Sequence, residues 1–179
     1  LARMTADMLF LAKADHGLAL ANVQPVNLRE EVIALYDFYD ALAAEKNIQL
    51  NQSGEATILG NPLMLRRALS NLISNAIRYG KSDTAVQMRL AQDPQLITVT
   101  IENSAAPITP EQLSRLFDRF YRTDASRQRI DEGAGLGLAI TQSIVHAHQG
   151  SIQAFSAGDQ VTFQTQFAGQ TAPAALILG

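Results

Sequence analysis

The sequence contains no cysteine, which removes disulfide scaffolds, thiolate zinc sites and cysteine nucleophiles together. That absence suits a reducing compartment. Histidine is scarce, with only His16, His146 and His148, so imidazole chemistry has few candidates. His146 and His148 are i,i+2 on an expected helix and face different directions, so they do not chelate one metal. No apolar run approaches the ~20 residues that span a bilayer. Basic residues are not in excess either. The net charge is −3 and the pI about 5.6, which argues against a general nucleic-acid binder. What remains is a chain of 179 residues, enough for one domain with a short appendage. A chain of that size buries roughly 70% of its unfolded surface and needs no covalent staple. Its charge is uneven, because Arg115, Arg119, Arg122, Arg127 and Arg129 crowd one short stretch.

Periodicity divides the chain into elements. Leu1, Met4, Met8 and Leu11 follow a 3-4-3 spacing, which fits the seam of a coiled coil or hairpin and also a helix packed on its own domain. The expectation is a dimerisation helix over residues 1–15, followed by a linker over 16–25. Asn27 with Glu30 resembles a cap, before a helical stripe of Leu28, Val32, Leu35, Tyr39 and Leu42. Strand-like pieces follow at Ile48–Asn51 and Ala56–Leu59. Asn61-Pro62 then starts a second helix that ends near Gly80. Alternation predicts strands over Ala85–Ala91 and Leu96–Glu102. A third helix is predicted over Pro110–Phe120 and a fourth over Leu138–His148. A last hairpin joins Ser151–Phe155 to Val161–Phe167, and residues 169–179 read as a loose tail. Helices on one mostly antiparallel sheet make an α+β, two-layer sandwich.

Three local features bear on chemistry. In Asn71-Leu-Ile-Ser-Asn75-Ala-Ile-Arg78-Tyr79, Asn71 and Asn75 are neighbours on one helix face. An amide carbonyl there suits a hard cation such as Mg²⁺; a solvated helix flank would look the same. In Gly133-Ala-Gly135-Leu-Gly137-Leu138, alternate glycines before a helix admit a phosphate to backbone N–H groups, or simply make a flexible turn. The run is neither a Rossmann fingerprint nor a P-loop. Phe117 and Phe120 are i,i+3 and serve either as core anchors or as the fixed end of an arginine-rich lid over a polyphosphate.

Taken in this order and spacing, the three features resemble the ATP-binding catalytic domain of sensor histidine kinases. That is the Bergerat fold of gyrase- and chaperone-type ATPases, a mixed, mostly antiparallel sheet covered by about three helices. The resemblance covers roughly residues 25–168, with the catalytic domain expected over 26–168. It implies ATP and Mg²⁺ as ligands. Asn71–Tyr79 corresponds to the N box, with Asn75 the implied Mg²⁺ ligand, Asn71 near the phosphates, Arg78 a phosphate contact and Tyr79 on the adenine side. Phe117 and Phe120 correspond to the F box, Tyr121–Glu132 to the ATP lid with Arg122 and Arg127 as its implied cations, and Gly133, Gly135, Gly137 and Leu138 to the second glycine box. Leu1–Asp15 resembles the end of the second helix of the dimerisation and phosphotransfer hairpin. The wording of Leu1–Asp15, Asn61–Tyr79 and Arg115–Arg129 is closest to copper/silver sensor kinases. The resemblance therefore implies a cytoplasmic part of an inner-membrane homodimer. Its partners would be a phosphoacceptor helix, whose histidine is not among these residues, and a response regulator. An ATP hydrolase of the same fold would want a carboxylate base where Asn71 stands, and a non-catalytic nucleotide-binding module is the other alternative.

The sequence departs from the family where an Asp-x-Gly-x-Gly run is usual. It has Asn103-Ser-Ala105-Ala-Pro107-Ile108, with Asn103 and Ile108 the implied base contacts. An uncharged Asn accepts less strongly than a carboxylate, ~0.5–1.5 against ~1.5–3 kcal/mol, and its amide also donates when flipped. Weaker or less adenine-selective binding is the expectation.

Overall fold

The computed structural model describes residues 1–123 and 134–169. Helix α1 (Ala2–Asp15) leads to strand β1 (Gln24–Asn27), helix α2 (Leu28–Ala44), strands β2 (Gln49–Gly54) and β3 (Thr57–Gly60), and helix α3 (Pro62–Tyr79). Strands β4 (Ala85–Gln92) and β5 (Leu96–Ser104), a single turn α4 (Pro110–Leu113), helix α5 (Gly137–Ala147) and the hairpin β6 (Ser151–Ala157) and β7 (Gln160–Ala168) complete it. Five strands form one sheet in the order β2-β4-β5-β7-β6. Only β2–β4 is parallel; the other three pairings are antiparallel. The mixed α+β architecture is the one expected.

Local chemistry explains the principal elements. The Asn27 carboxamide accepts from the Glu30 N–H at 3.3 Å and opens α2. Asn61 does the same for α3, accepting from the Met64 N–H at 3.0 Å, with Pro62 in the first turn. From there Leu65, Leu69, Leu72, Ile73, Ala76 and Ile77 turn one side of α3 into the core. The strands supply the facing layer by alternation: Val86, Met88 and Leu90 from β4, Ile97, Val99 and Ile101 from β5, Val161, Phe163 and Phe167 from β7. Fully burying such a side chain is worth about 1.5–3 kcal/mol, so this layer contact dominates the stability.

His148 locks the far end of α3. Its Nε2 accepts the Asn61 N–H at 3.1 Å. The ring proton therefore sits on Nδ1, which donates to the Ile144 carbonyl at 2.7 Å. Burial pushes this imidazole's pKa below the ordinary value, against the opposing effect of the Ile144 bond. His148 is thus a neutral structural residue.

One expectation is corrected and two gain detail. The helix predicted over Pro110–Phe120 is the single turn α4, capped by Thr109. Arg115 folds back to pair with Asp118 at 3.4 Å and lies over the Tyr121 ring, while Phe120 takes φ +62°, which no helix accommodates. The segment expected as linker already contains the start of β1, which pairs with β3 in a separate two-stranded ribbon. The seam of α1 is divided: Leu11 is buried against Ala68, Leu136, Ala139, Ile140 and Ile144, while Leu1, Met4 and Met8 stay exposed. Residues 170–179 of the expected tail lie outside the described residues.

Candidate functional site

A cavity of about 870 Å³ opens where α3, the N-terminal end of α5 and the end of β5 meet, within the ~300–1,000 Å³ typical of ligand sites. The side of α3 turned away from the core forms one wall. It presents Arg67, Asn71, Asn75 and Arg78, each three or four residues from the next, with Ser70, Ser74 and Tyr79 beside them. Nδ2 of Asn71 donates to the Gly137 carbonyl at 3.1 Å, which ties α3 to the start of α5. The Asn75 side chain also faces the cavity, and its amide engages no other described residue.

The opposite wall is Ala134–Leu138, followed by Ile140. Gly135 has φ +75°, and a Cβ there would lie 3.0 Å from the Tyr121 carbonyl oxygen and 3.1 Å from the Phe120 carbonyl carbon. The Phe120 N–H donates to the Gly135 carbonyl at 3.1 Å. Only glycine allows that close crossing. The N-cap residue of α5, Leu136, makes no side-chain cap, so among the described residues the first-turn N–H groups have no side-chain cap, an arrangement suited to an anion.

The inward row of β5, Ile97-Val99-Ile101, ends on Asn103, a buried polar residue at the cavity. Its Nδ2 donates to the Ser104 carbonyl at 3.4 Å, a long contact, and its Oδ1 has no partner among the described residues. Ala106, Pro107 and Ile108 continue this wall. They are held by Ala105 N–H to the Asp159 carbonyl at 2.8 Å and Ile108 N–H to Ser156 Oγ at 3.0 Å.

Of the residues singled out from the sequence, Asn71, Asn75, Arg78, Tyr79, Asn103, Ile108, Arg122, Gly135, Gly137 and Leu138 come together around this one cavity. Phe117 and Phe120 are not among its lining residues. Phe117 packs edge-on against Phe163 with ring centroids 6.2 Å apart, and Phe120 is half exposed. Arg127 and Gly133 lie outside the described residues. Sequence reasoning missed the wall made by the N-terminal segment, namely Leu1, Arg3, Met4 and Asp7, and it missed Arg67 and Gln112. Extending the Asn71–Asn75 row one turn back would have found Arg67.

The lining is cationic in an acidic protein. Arg3, Arg67, Arg78 and Arg122 line it, and Asp7 is the only carboxylate among its described residues, paired with Arg67 at 2.5 Å. No group of three or more metal-ligating His, Cys, Asp or Glu side chains occurs among the described residues. The described residues alone therefore offer a resident metal no cage. One amide oxygen beside a cationic wall fits instead a Mg²⁺ ion that draws its other ligands from phosphate oxygens and water.

Among known proteins, the family described as histidine kinase-, DNA gyrase B-, and HSP90-like ATPases matches residues 60–169. The sensor histidine kinase CusS of Escherichia coli O6:H1 is 50% identical over 153 residues, 85% of this chain and 32% of that protein. The chain thus spans about a third of the length of such curated relatives. Among solved structures, the Acinetobacter baumannii histidine kinase AdeS shares the fold, with a TM-score of 0.78 at 19% identity over 95% of this chain and 79% of that one. Full-length ShkA, solved in complex with AMPPNP, gives a TM-score of 0.77 at 26% identity, over 93% of this chain and 36% of ShkA.

Proposed function

Because the chain belongs to the histidine kinase-, DNA gyrase B- and HSP90-like ATPases, we propose that its cavity binds ATP with Mg²⁺ as the catalytic site of a sensor histidine kinase. The γ-phosphate is presented to a histidine on another helix of the whole protein. The observation that carries this reading is the convergence of Asn71, Asn75 and Arg78 with Gly135–Leu138 and Asn103 around one cationic cavity. The AMPPNP complex of ShkA supports a nucleotide as the ligand.

Phosphoryl transfer of this kind is mostly positioning and charge neutralisation. Asn75 would hold Mg²⁺ through its amide oxygen, and the ion would supply charge neutralisation at the phosphates. Arg78 and Arg122 add fixed positive charge, Arg127 is proposed to join them, and the first N–H groups of α5 donate to the phosphate oxygens. Asn71 keeps that helix end in register through its bond to Gly137. Asn103 accepts from the adenine edge, with Ile108 and Tyr79 on the base side; Leu138 and Gly133 complete the proposed binding set, and Phe117 and Phe120, which do not line the cavity, would act only by anchoring the segment beside it. The histidine kinase reading is favoured over hydrolysis because Asp7, the one lining carboxylate among the described residues, is committed to Arg67. Among the described lining residues, no other carboxylate stands ready to activate water.

In the whole protein this domain would sit on the cytoplasmic side of the inner membrane, within a homodimer that passes phosphate to a response regulator. Copper or silver sensing follows from the resemblance of residues 1–15, 61–79 and 115–129 to such sensors. Titration of the chain with Mg·ATP, with free phosphate followed alongside, tests the site. Saturable binding without phosphate release is expected; steady phosphate release would favour the hydrolase, and absence of binding would refute the site.

A further inference from the structure

Helix α3 ends without the left-handed glycine turn that commonly satisfies the last carbonyls, since Gly80 is extended at φ −64°, ψ 144°. A side chain from elsewhere does this instead. Lys46, in the turn between α2 and β2, donates from Nζ to the Ile77 carbonyl at 3.0 Å, the Arg78 carbonyl at 2.7 Å and the Gly80 carbonyl at 2.6 Å. An ammonium has three donors and no acceptor. Its compact charge also complements the negative end of the helix dipole. The backbone of Lys46 is tied to the same segment, because the Asp83 N–H donates to its carbonyl at 3.0 Å. Asn47 beside it donates to Asp83 Oδ1 at 2.8 Å.

The segment so held carries cavity groups. Arg78 and Tyr79 line the cavity directly. The Lys81 N–H donates to the Ser104 carbonyl at 2.8 Å, the same carbonyl that receives Asn103 Nδ2. Shifting residues 77–81 would therefore displace Arg78, Tyr79 and the anchor of Asn103 together. We infer that Lys46 is a positioning residue for nucleotide binding, which sets Arg78, Tyr79 and Asn103 against the ligand through the three carbonyls it holds. This rests on the cavity being the Mg·ATP site.

The test compares the 179-residue chain with Lys46→Met and Lys46→Arg. Mg·ATP affinity is titrated at a temperature where circular dichroism shows each variant folded, and melting is recorded separately. Lys46→Met is expected to bind about tenfold more weakly. Lys46→Arg, which keeps the charge but has a planar fork for three convergent acceptors, is expected to fall between it and wild type. Should Lys46→Met not fold, Lys46→Gln keeps amide donors without charge, and the same loss is expected of it. A folded variant without the ammonium that binds Mg·ATP within about twofold of wild type overturns the inference, whatever its melting temperature. Absence of binding by the wild-type chain overturns the site reading itself, and this inference with it.

Discussion

Replacing Asn75 by alanine separates the metal role of the site from its structural role. The Asn75 side chain is only partly buried and engages no other described residue, so its removal strands no buried partner. Alanine is also the better helix former, by roughly 0.5 kcal/mol at such a position. Folding stability should therefore hold or rise slightly, within about 0.5 kcal/mol. Binding should behave quite differently. Loss of a residue that merely supports a metal ligand costs about 10–100-fold in affinity, so loss of the protein's own ligand belongs at the upper end, about 100-fold or ~2.7 kcal/mol. The assay is ATP titration in the presence of Mg²⁺ and again in EDTA, on wild type and Asn75→Ala, with urea unfolding as the control for folding. The wild type should bind much more tightly with the metal. In the variant the Mg²⁺-dependent part of the affinity should vanish while the unfolding midpoint stays in place. A variant that keeps the full Mg²⁺ enhancement would refute the assignment of Asn75.

Other consequences follow from packing and titration. A Cβ at Gly60 would meet His148 Cδ2 at 2.6 Å and Leu65 Cδ1 at 2.8 Å, and the His148 ring is pinned at both nitrogens; Gly60→Ala should therefore cost about 1–3 kcal/mol in urea unfolding. Leu11→Ala should release α1 from the domain at about 2–5 kcal/mol, seen as faster amide exchange across residues 2–15 with the sheet unaffected. With its folded pKa lowered, neutral His148 contributes stability that is full above the unfolded imidazole value of about 6.5 and lost as pH falls toward the folded one. An NMR titration should place this ring below the ordinary value, and a titration at or above it would contradict the Asn61–His148–Ile144 arrangement.

Much of the fold is written in short-range signals. Asn61-Pro62 carries its own cap geometry, and the alternation in β4, β5 and β7 reads directly as one buried face. The Asn71–Asn75 row gave the cavity wall for the same reason, since i,i+4 spacing is a statement about one helix face. β1 was illegible because its four residues include one buried side chain, Val26, too little for any period. The helix predicted over Pro110–Phe120 misled because Phe117 and Phe120 have helical spacing, yet Phe117 turns to Phe163 and Phe120 adopts positive φ to cross Gly135. The contribution of α1 to the cavity depends on long-range pairs, Asp7 with Arg67 and Asp15 with Arg119, which no local pattern encodes. Lys46 is similar: its three acceptors, Ile77, Arg78 and Gly80, lie more than thirty residues away at the end of α3.

The central claim is that the ATP γ-phosphate leaves this cavity for a histidine on another helix, and phosphotransfer tests it most directly. The chain would be mixed with a separately produced dimerisation hairpin carrying the acceptor histidine, together with Mg²⁺ and γ-labelled ATP. Acid-labile label on the hairpin, lost when Asn75 is replaced by alanine, is the predicted result. Free phosphate in place of labelled hairpin, or ATP binding with neither product, would contradict the account.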